Sequence, residues 1–550
     1  MKKLLIVFLV LILLVCAGVG VVYFKFFYTP PLNEAERALL TPDWDRATGG
    51  NWSPWYEFDD GTREWNPTKS FNAWLATYPE EDKAWPILID AKLEFSDVYD
   101  NERFIEFSEV LPSDPIRWEI LVPILESEHA QDLSSVLQEA LSKPILGCEM
   151  MNTDDPHTIA AMQRHGIEVD MNIPVTENLA VVDSLLPAMG VLRGSARFLT
   201  GQAALALSTD DPDTFVKQLR SASQAGQLSD EYPTLIGELV RAAINSLVNR
   251  TIRWALEEHP DRLDEEHLEQ LRRITAASAE PSNGFYGELL LFHDITRRIV
   301  SKTGKLTPTS ISMISEWSNG TGFLFPDPVH IPDENLGSSA RRTLLLYKDF
   351  LDQCRDESQP RPEYGWQLDE YNFHFVERIA DELGFIPKTI LHVLIPASGK
   401  ASTRVLQHTQ ETIATNLALN LHIHKHRHGS FPTTLDDLDP DLQTLDPIDV
   451  FTGQPLLYTL TDTGPLIYSV GDDRDDDGGK IRWEINDAGP DDNIVEIRSP
   501  LPPEWIRTKD LQQRIADDPD FIDGDWVLFP IPFEDPAPLD DAELEIFNTP

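Results

Sequence analysis

A mainly α protein with a C-terminal α+β module is what this 550-residue sequence predicts. Three observations carry that expectation. A long apolar run opens the chain, and residues 67–303 show apolar positions at helical spacing. Short β-like runs set off by Gly and Pro appear only after position 450.

The N-terminal element comes first. Lys2 and Lys3 precede an uninterrupted apolar stretch from Leu4 to Phe24. Its helical length is about 31 Å, enough to span a bilayer's hydrocarbon core. A cleaved signal peptide is the alternative, but the run continues through Val21, Val22 and Tyr23 without a small-x-small exit. Residues 1–28 therefore read as an uncleaved transmembrane anchor. The lysine pair favours a cytoplasmic N-terminus, although Lys25 reduces the asymmetry. The expected location is a bacterial inner membrane, crossed once, with the bulk of the chain periplasmic or otherwise extracytoplasmic.

Composition fits that side of the membrane. The chain carries 45 Lys and Arg against 92 Asp and Glu, a formal charge of −47. Such a surface repels a phosphate backbone, which argues against nucleic acid as a partner. Hydrophobic residues make up 41%, enough to build cores and too many for wholesale disorder. The three cysteines do not form a disulfide framework; Cys16 lies in the apolar run, and Cys148 and Cys354 remain as a candidate pair.

Residues 29–66 are rich in Trp, Pro and Gly and read as a linker or as a collar packed over the first helices; a carbohydrate-stacking surface is the rival reading. From 67 to 303 the pattern is helical. Its clearest stretch follows Pro233, where Leu235, Ile236, Leu239, Val240, Ile244, Val248 and Ile252 form an apolar stripe. Cap chemistry punctuates the neighbours, as in Ser208-Thr-Asp-Asp-Pro212 and Asp261-Arg-Leu-Asp264. Short turns of this kind predict helical hairpins, stacked as a bundle or an irregular solenoid. Residues 304–400 form a mixed connecting region, with an amphipathic helix near Ala340–Cys354. Residues 401–500 begin with a helix carrying Val405, Leu406, Ile413, Leu417 and Leu421 on one face. Four short strands follow, around 451–458, 466–470, 481–485 and 494–497. Residues 501–550 hold 13 acidic and 3 basic side chains among many prolines and read as a loosely ordered tail, in which Trp526–Phe529 can still dock onto the body.

The sharpest chemical feature is Asp472-Asp-Arg-Asp-Asp-Asp-Gly-Gly479. From Asp473 the spacing is D-x-D-x-D-G, with Glu484 at the twelfth position. Asp473, Asp475, Asp477 and Glu484 thus match the spacing by which one loop wraps oxygens around Ca²⁺. The flanks read as strands and Lys480 stands at the usually apolar eighth place, so the helix–loop–helix fold is not expected. A solvated acidic turn is the bland alternative.

Order of motifs adds a second route to the same loop. A long helix runs into His428-Gly-Ser-Phe-Pro-Thr-Thr434; then come Asp449-Val-Phe-Thr-Gly-Gln-Pro-Leu-Leu-Tyr458, Tyr468-Ser-Val-Gly-Asp472 and Asp491-Asp-Asn-Ile494. This succession resembles the C-terminal domain of the major pseudopilin of type II secretion systems, over about 100 of the 550 residues. The resemblance implies a long helix with a small antiparallel sheet and a structural calcium ion held by Ser469, Asp472 and Asp491 or Asp492. Spacing and resemblance agree on calcium but not on the ligands. The chain also departs from the family: Val450 stands where proline is usual, and the prepilin cleavage glycine and the glutamate after it are missing.

Enzyme signals are weaker. His422, His424, His426 and His428 alternate at a helix end, so 422/426 and 424/428 lie one turn apart, a usable transition-metal spacing. Cationic side chains that favour a helix C-terminus explain the same run. The motifs G-x-S-x-G, H-E-x-x-H and the phosphate-binding Walker loop do not occur. The expected function is a structural or partner-binding envelope protein, calcium-stabilised and linked to type II secretion-like or envelope assembly. Its expected partners are the membrane and secretion-machinery proteins. The alternative is an extracytoplasmic metal-dependent hydrolase with its site in the helical domain.

Overall fold

The computed structural model describes residues 51–151, 155–168, most of 181–299, the helix at 385–428 and most of 429–470, with residues 476, 478–479, 483–485, 495–497 and 526–530 beyond them. The apolar run at 4–24, the connecting region as far as 384 and Cys354 lie outside the described residues. Among the described residues no helix is long and apolar enough to cross a membrane.

Residues 55–65 form a two-stranded hairpin, β1 (Trp55–Glu57) and β2 (Arg63–Trp65), with Trp55 opposite Trp65. Trp52 and Trp65 are buried in the main core, which leaves neither ring free to stack on a carbohydrate. Asn66 then caps α1 (Pro67–Leu75) by accepting from the Lys69 amide, and Pro67 occupies the first turn, where a missing N–H costs nothing. Further helices follow: α2 (Trp85–Glu94), α3 (Ser96–Tyr99), α4 (Glu102–Phe107), α5 (Pro115–Leu125), α6 (Glu128–Leu141) and α7 (Pro156–Arg164). Asp155 is the N-cap of α7 and also accepts the Trp85 indole N–H at 2.7 Å, which ties α7 to α2 inside the core.

The centre of the body is α8 (Pro187–Ser208), α9 (Pro212–Ser229) and α10 (Leu235–Glu258). The turn between α8 and α9 places Asp210 in the left-handed region at φ 68°, a conformation that Asp tolerates better than most residues. Asp211 caps α9 through the Thr214 amide at 3.1 Å, as the sequence expects. Thr234 caps α10 in the same way. α11 (Glu265–Ser278) follows Asp264, whose carboxylate accepts the His267 amide, and α12 (Gly284–Ile299) completes this part. Residues 67–299 are thus predominantly helical, in line with their periodicity.

α10 differs from its expected one-sided stripe. Ile236 is 54% exposed, whereas Glu238, Arg241, Asn245, Asn249, Thr251 and Arg253 are buried together with Ile244, Val248 and Ile252. The reason is that neighbours surround it: Asn245 lies against Gly226 of α9, Glu238 against Gly284 of α12, and a further helix takes another side. The long helix α13 (Phe385–His428) packs against α10 and α11, and polar pairs cross between them. Asn249 donates to Thr412 at 2.9 Å, Ser246 to Glu411 at 2.8 Å, and Asn416 to Thr275 of α11 at 2.9 Å. Polar groups that find partners can be buried without the cost of orphaning them, so an apolar pattern does not reveal this face.

α13 ends at Gly429, φ +83°, the left-handed position that stops helices. The chain then builds the expected antiparallel sheet. β3 (Leu457–Thr461) pairs with β4 (Gly464–Ser469), Leu457 opposite Tyr468. The pair β5 (Trp483–Ile485) and β6 (Val495–Ile497) is antiparallel as well. β7 (Trp526–Phe529) adds to β4, Ile467 opposite Phe529. The tail is therefore ordered at this point: Leu528 and Phe529 are buried, and buried Arg253 of α10 donates to the Leu528 carbonyl at 2.8 Å.

Candidate functional site

Two regions near the end of α13 gather chemistry-bearing side chains. The first is the base of the acidic loop. Asp449 and Ser469 are buried, and the Ser469 hydroxyl donates to Asp449 Oδ2 at 2.9 Å. The same oxygen accepts the Val470 amide at 3.2 Å. Asp449 is itself set by a tight turn, accepting from the Gly453 amide at 2.8 Å, while Gln410 of α13 accepts the Val450 amide at 2.6 Å. The base of the loop is thus tied to the long helix through Gln410. Asp476 accepts the Tyr468 hydroxyl at 3.1 Å and the Gly478 amide at 2.9 Å, and Gly478 turns at φ +73°.

Of the sequence-derived ligands, Ser469 is placed at the end of β4 where the loop begins. Its hydroxyl donates to Asp449. Glu484 stands in β5, its backbone opposite Glu496. Asp472, Asp473, Asp475, Asp477, Asp491 and Asp492 lie outside the described residues. Asp449 and Asp476 are acidic groups at the loop that spacing did not single out. Asp449 was legible only as part of the turn motif.

The second region is the last turn of α13. His424 is buried, His428 is half exposed, and their ring centroids lie 4.3 Å apart. Asp439 arrives from the segment after Gly429, with His428 Nε2 at 2.9 Å and His424 Nδ1 at 4.0 Å from its Oδ1. The hydrogen bond with His428 is the main influence holding the Asp439 carboxyl below its ordinary pKa. Arg427 Nη1 contacts the other oxygen, Oδ2, at 3.2 Å and also reaches Asp441, while its Nε donates to Glu265 at 2.8 Å. Of the two histidine pairs suggested by spacing, only 424/428 converges. His422 turns into the core, edge-on to Phe431 at 5.1 Å and Phe529 at 6.0 Å, and burial pushes its pKa down to about 3.

Within the helical domain a cavity of about 340 Å³ is lined by Lys92, Tyr99, Phe104, Arg193, Gly194 and Arg197. Arg193 and Arg197 both contact Glu109 Oε1, at 3.1 and 2.6 Å, and the Tyr99 hydroxyl is engaged with Ser195 at 2.8 Å. Burial raises the Tyr99 pKa, so the phenol is no base. A second buried cluster surrounds Cys148, whose thiol lies 3.9 Å from Asp155 Oδ2 and whose carbonyl accepts the Tyr232 hydroxyl. Burial drives the Cys148 pKa well up, which disfavours the reactive thiolate.

Comparison with protein-family models, with curated proteins and with solved structures gave no match to this chain.

Proposed function

We propose that this chain is a membrane-anchored cell-envelope protein of structural or partner-binding type, with a calcium-stabilised pseudopilin-like module at its C-terminal end, serving type II secretion-like or envelope assembly. The observation that carries the reading is the way the acidic loop is mounted. A long helix, a glycine exit, a turn at Asp449 and an antiparallel hairpin follow one another, and Asp449 fixes Ser469 and Val470 at the loop's base. A loop crowded with carboxylates gains from a hard cation that neutralises their repulsion.

The module's helix is also built into the body. α13 is buried against α10 and α11 through Asn249, Ser246 and Thr275. A helix committed in this way serves as a fixed mount for the sheet and is not free to polymerise with copies of itself. The role is accordingly that of a stationary scaffold. The long helical body supplies the surface for partners, and the acidic charge keeps that surface soluble.

The test is co-purification from native membranes, together with calcium titration calorimetry on the full chain in detergent. Recovery with envelope or secretion components and one calcium equivalent at roughly 0.1–1 mM affinity are the expected results. Recovery free of membranes and of envelope components would refute the assignment. Absence of calcium heat from folded protein would refute the calcium-stabilised module.

A further inference from the structure

We propose that His424, His428 and Asp439 form a binding site for a transition-metal dication of the zinc class, separate from the acidic loop. All three offer a ligand atom within 4.8 Å of one another. The donor set is two imidazoles and one carboxylate, which suits zinc and its neighbours better than calcium, whose ligands are oxygens.

Geometry supports three bonds to one ion. Zinc lies about 2.0–2.1 Å from nitrogen and oxygen donors, so tetrahedral ligands sit about 3.3 Å apart. The two nitrogen–oxygen separations, 2.9 and 4.0 Å, straddle that value and need only small side-chain adjustments. Both histidines project from one helix face at i and i+4, so the backbone already holds their spacing.

The groups around the site are arranged as a metal's outer neighbours would be. Asp439 Oδ2 is taken by Arg427, which turns Oδ1 alone toward the two imidazoles. Arg427 is itself a cation, but Glu265, Glu269 and Asp441 also contact it and offset its charge. Asp437 is occupied elsewhere, accepting the Thr433 and Thr434 hydroxyls at 2.7 and 3.0 Å. Lys425 lies over the Phe431 ring, 4.7 Å from its centre.

An independent sign is His424 Nδ1, a buried nitrogen that has no hydrogen-bond partner. Such an atom is costly in a protein interior, and a bound ion would satisfy it. His428 is half exposed, which gives the ion a path from solvent and leaves a fourth coordination position for water. On binding, an imidazolium at His428 releases its Nε2 proton to solvent, and a neutral ring moves it to Nδ1, so Nε2 presents its lone pair and Asp439 its carboxylate.

The experiment uses the full, untagged chain in detergent, stripped with chelator and titrated with Co²⁺ as a visible probe and with Zn²⁺ by competition. One equivalent of Co²⁺ is expected to give d–d absorption of tetrahedral strength, displaced by Zn²⁺ and unchanged by excess Ca²⁺. His428→Ala and Asp439→Asn each change a partly exposed side chain, and each is expected to weaken binding at least tenfold. His426→Ala, on an exposed neighbour outside the cluster, is expected to leave binding unaltered. Absence of stoichiometric binding, or binding that survives both H428A and D439N, would overturn the proposal. Far-ultraviolet circular dichroism of each variant distinguishes a lost ligand from a lost fold.

Discussion

Glu288 offers a direct measure of how the helical body holds buried charge. Its side chain is buried in α12, and its Oε1 accepts the Leu235 amide at 3.0 Å, closing the first turn of α10. Burial outweighs that hydrogen bond and raises its pKa from the ordinary 4.5 to about 7. A carboxyl group whose pKa is higher in the folded protein than in the unfolded chain makes the folded state the better proton binder. Its stabilising contribution is fully present below about pH 4.5 and is lost as pH rises through about 7. A shift of that size corresponds to roughly 3 kcal/mol between the two limits. Glu288→Gln keeps the oxygen that accepts from Leu235 and removes the titration. Thermal unfolding of both proteins at pH 5 and pH 8 is the assay, with infrared difference titration following the protonated carboxyl band. The variant is expected to melt within a degree or two of the parent at pH 5 and clearly above it at pH 8. Equal differences at both pH values, or a carboxyl band near pH 7 that persists in E288Q at full intensity, would refute the reasoning.

Two further substitutions test the packing on which the rest depends. Asp155→Ala removes the cap of α7 and leaves the buried Trp85 indole N–H without its acceptor, so a loss of about 2–4 kcal/mol is expected, read as a lowered melting temperature with altered tryptophan emission. Arg253→Met withdraws the guanidinium from the Leu528 carbonyl, and amide exchange at Val527–Phe529 is expected to quicken about tenfold while α8 and α9 stay protected; unchanged exchange would mean that the sheet alone holds β7.

Helices were legible where one face is apolar and a cap marks the start. Asp211 before α9 and Asp264 before α11 are such cases, because capping is a local event that the neighbouring residues determine. Sites of long-range polar contact were not. Glu238, Arg241, Asn245 and Asn249 are buried, yet no apolar pattern marks them: Asn245 meets α9 at Gly226, Glu238 meets α12 at Gly284, and Asn249 bonds to Thr412 of α13, more than 150 residues further on. Trp526–Phe529 was legible as a segment able to dock, but not as a strand. Its surroundings are acidic and proline-rich, and only the open edge of β4, together with Arg253, makes it a strand. The histidine run was visible as a metal spacing, but spacing alone could not choose between its two pairs. The choice was made by Phe431 and Phe529, which draw His422 into the core, and by Asp439, which the turn after Gly429 returns to His424 and His428.

That return of the chain also bears on how the two proposed cation sites relate. Residues 424–470 run from the histidines through Asp439 to Asp449 and Ser469, so a single stretch carries the zinc-class site and the mount of the acidic loop. The donors differ in kind, nitrogen-rich at the proposed zinc-class site and oxygen-rich at the proposed calcium loop, so each would select its own ion by chemistry. Two routes join them: the segment after Gly429, and α13 itself through Gln410 and the Val450 amide. The segment is tied to the helix by Asn420 donating to the Leu442 carbonyl at 2.9 Å, and to β3 by Tyr458 donating to the Pro432 carbonyl at 2.7 Å. Links of this kind hold the fold of the stretch whether or not either ion is present. The two bindings should therefore be close to additive, with calcium leaving the Co²⁺ affinity unchanged.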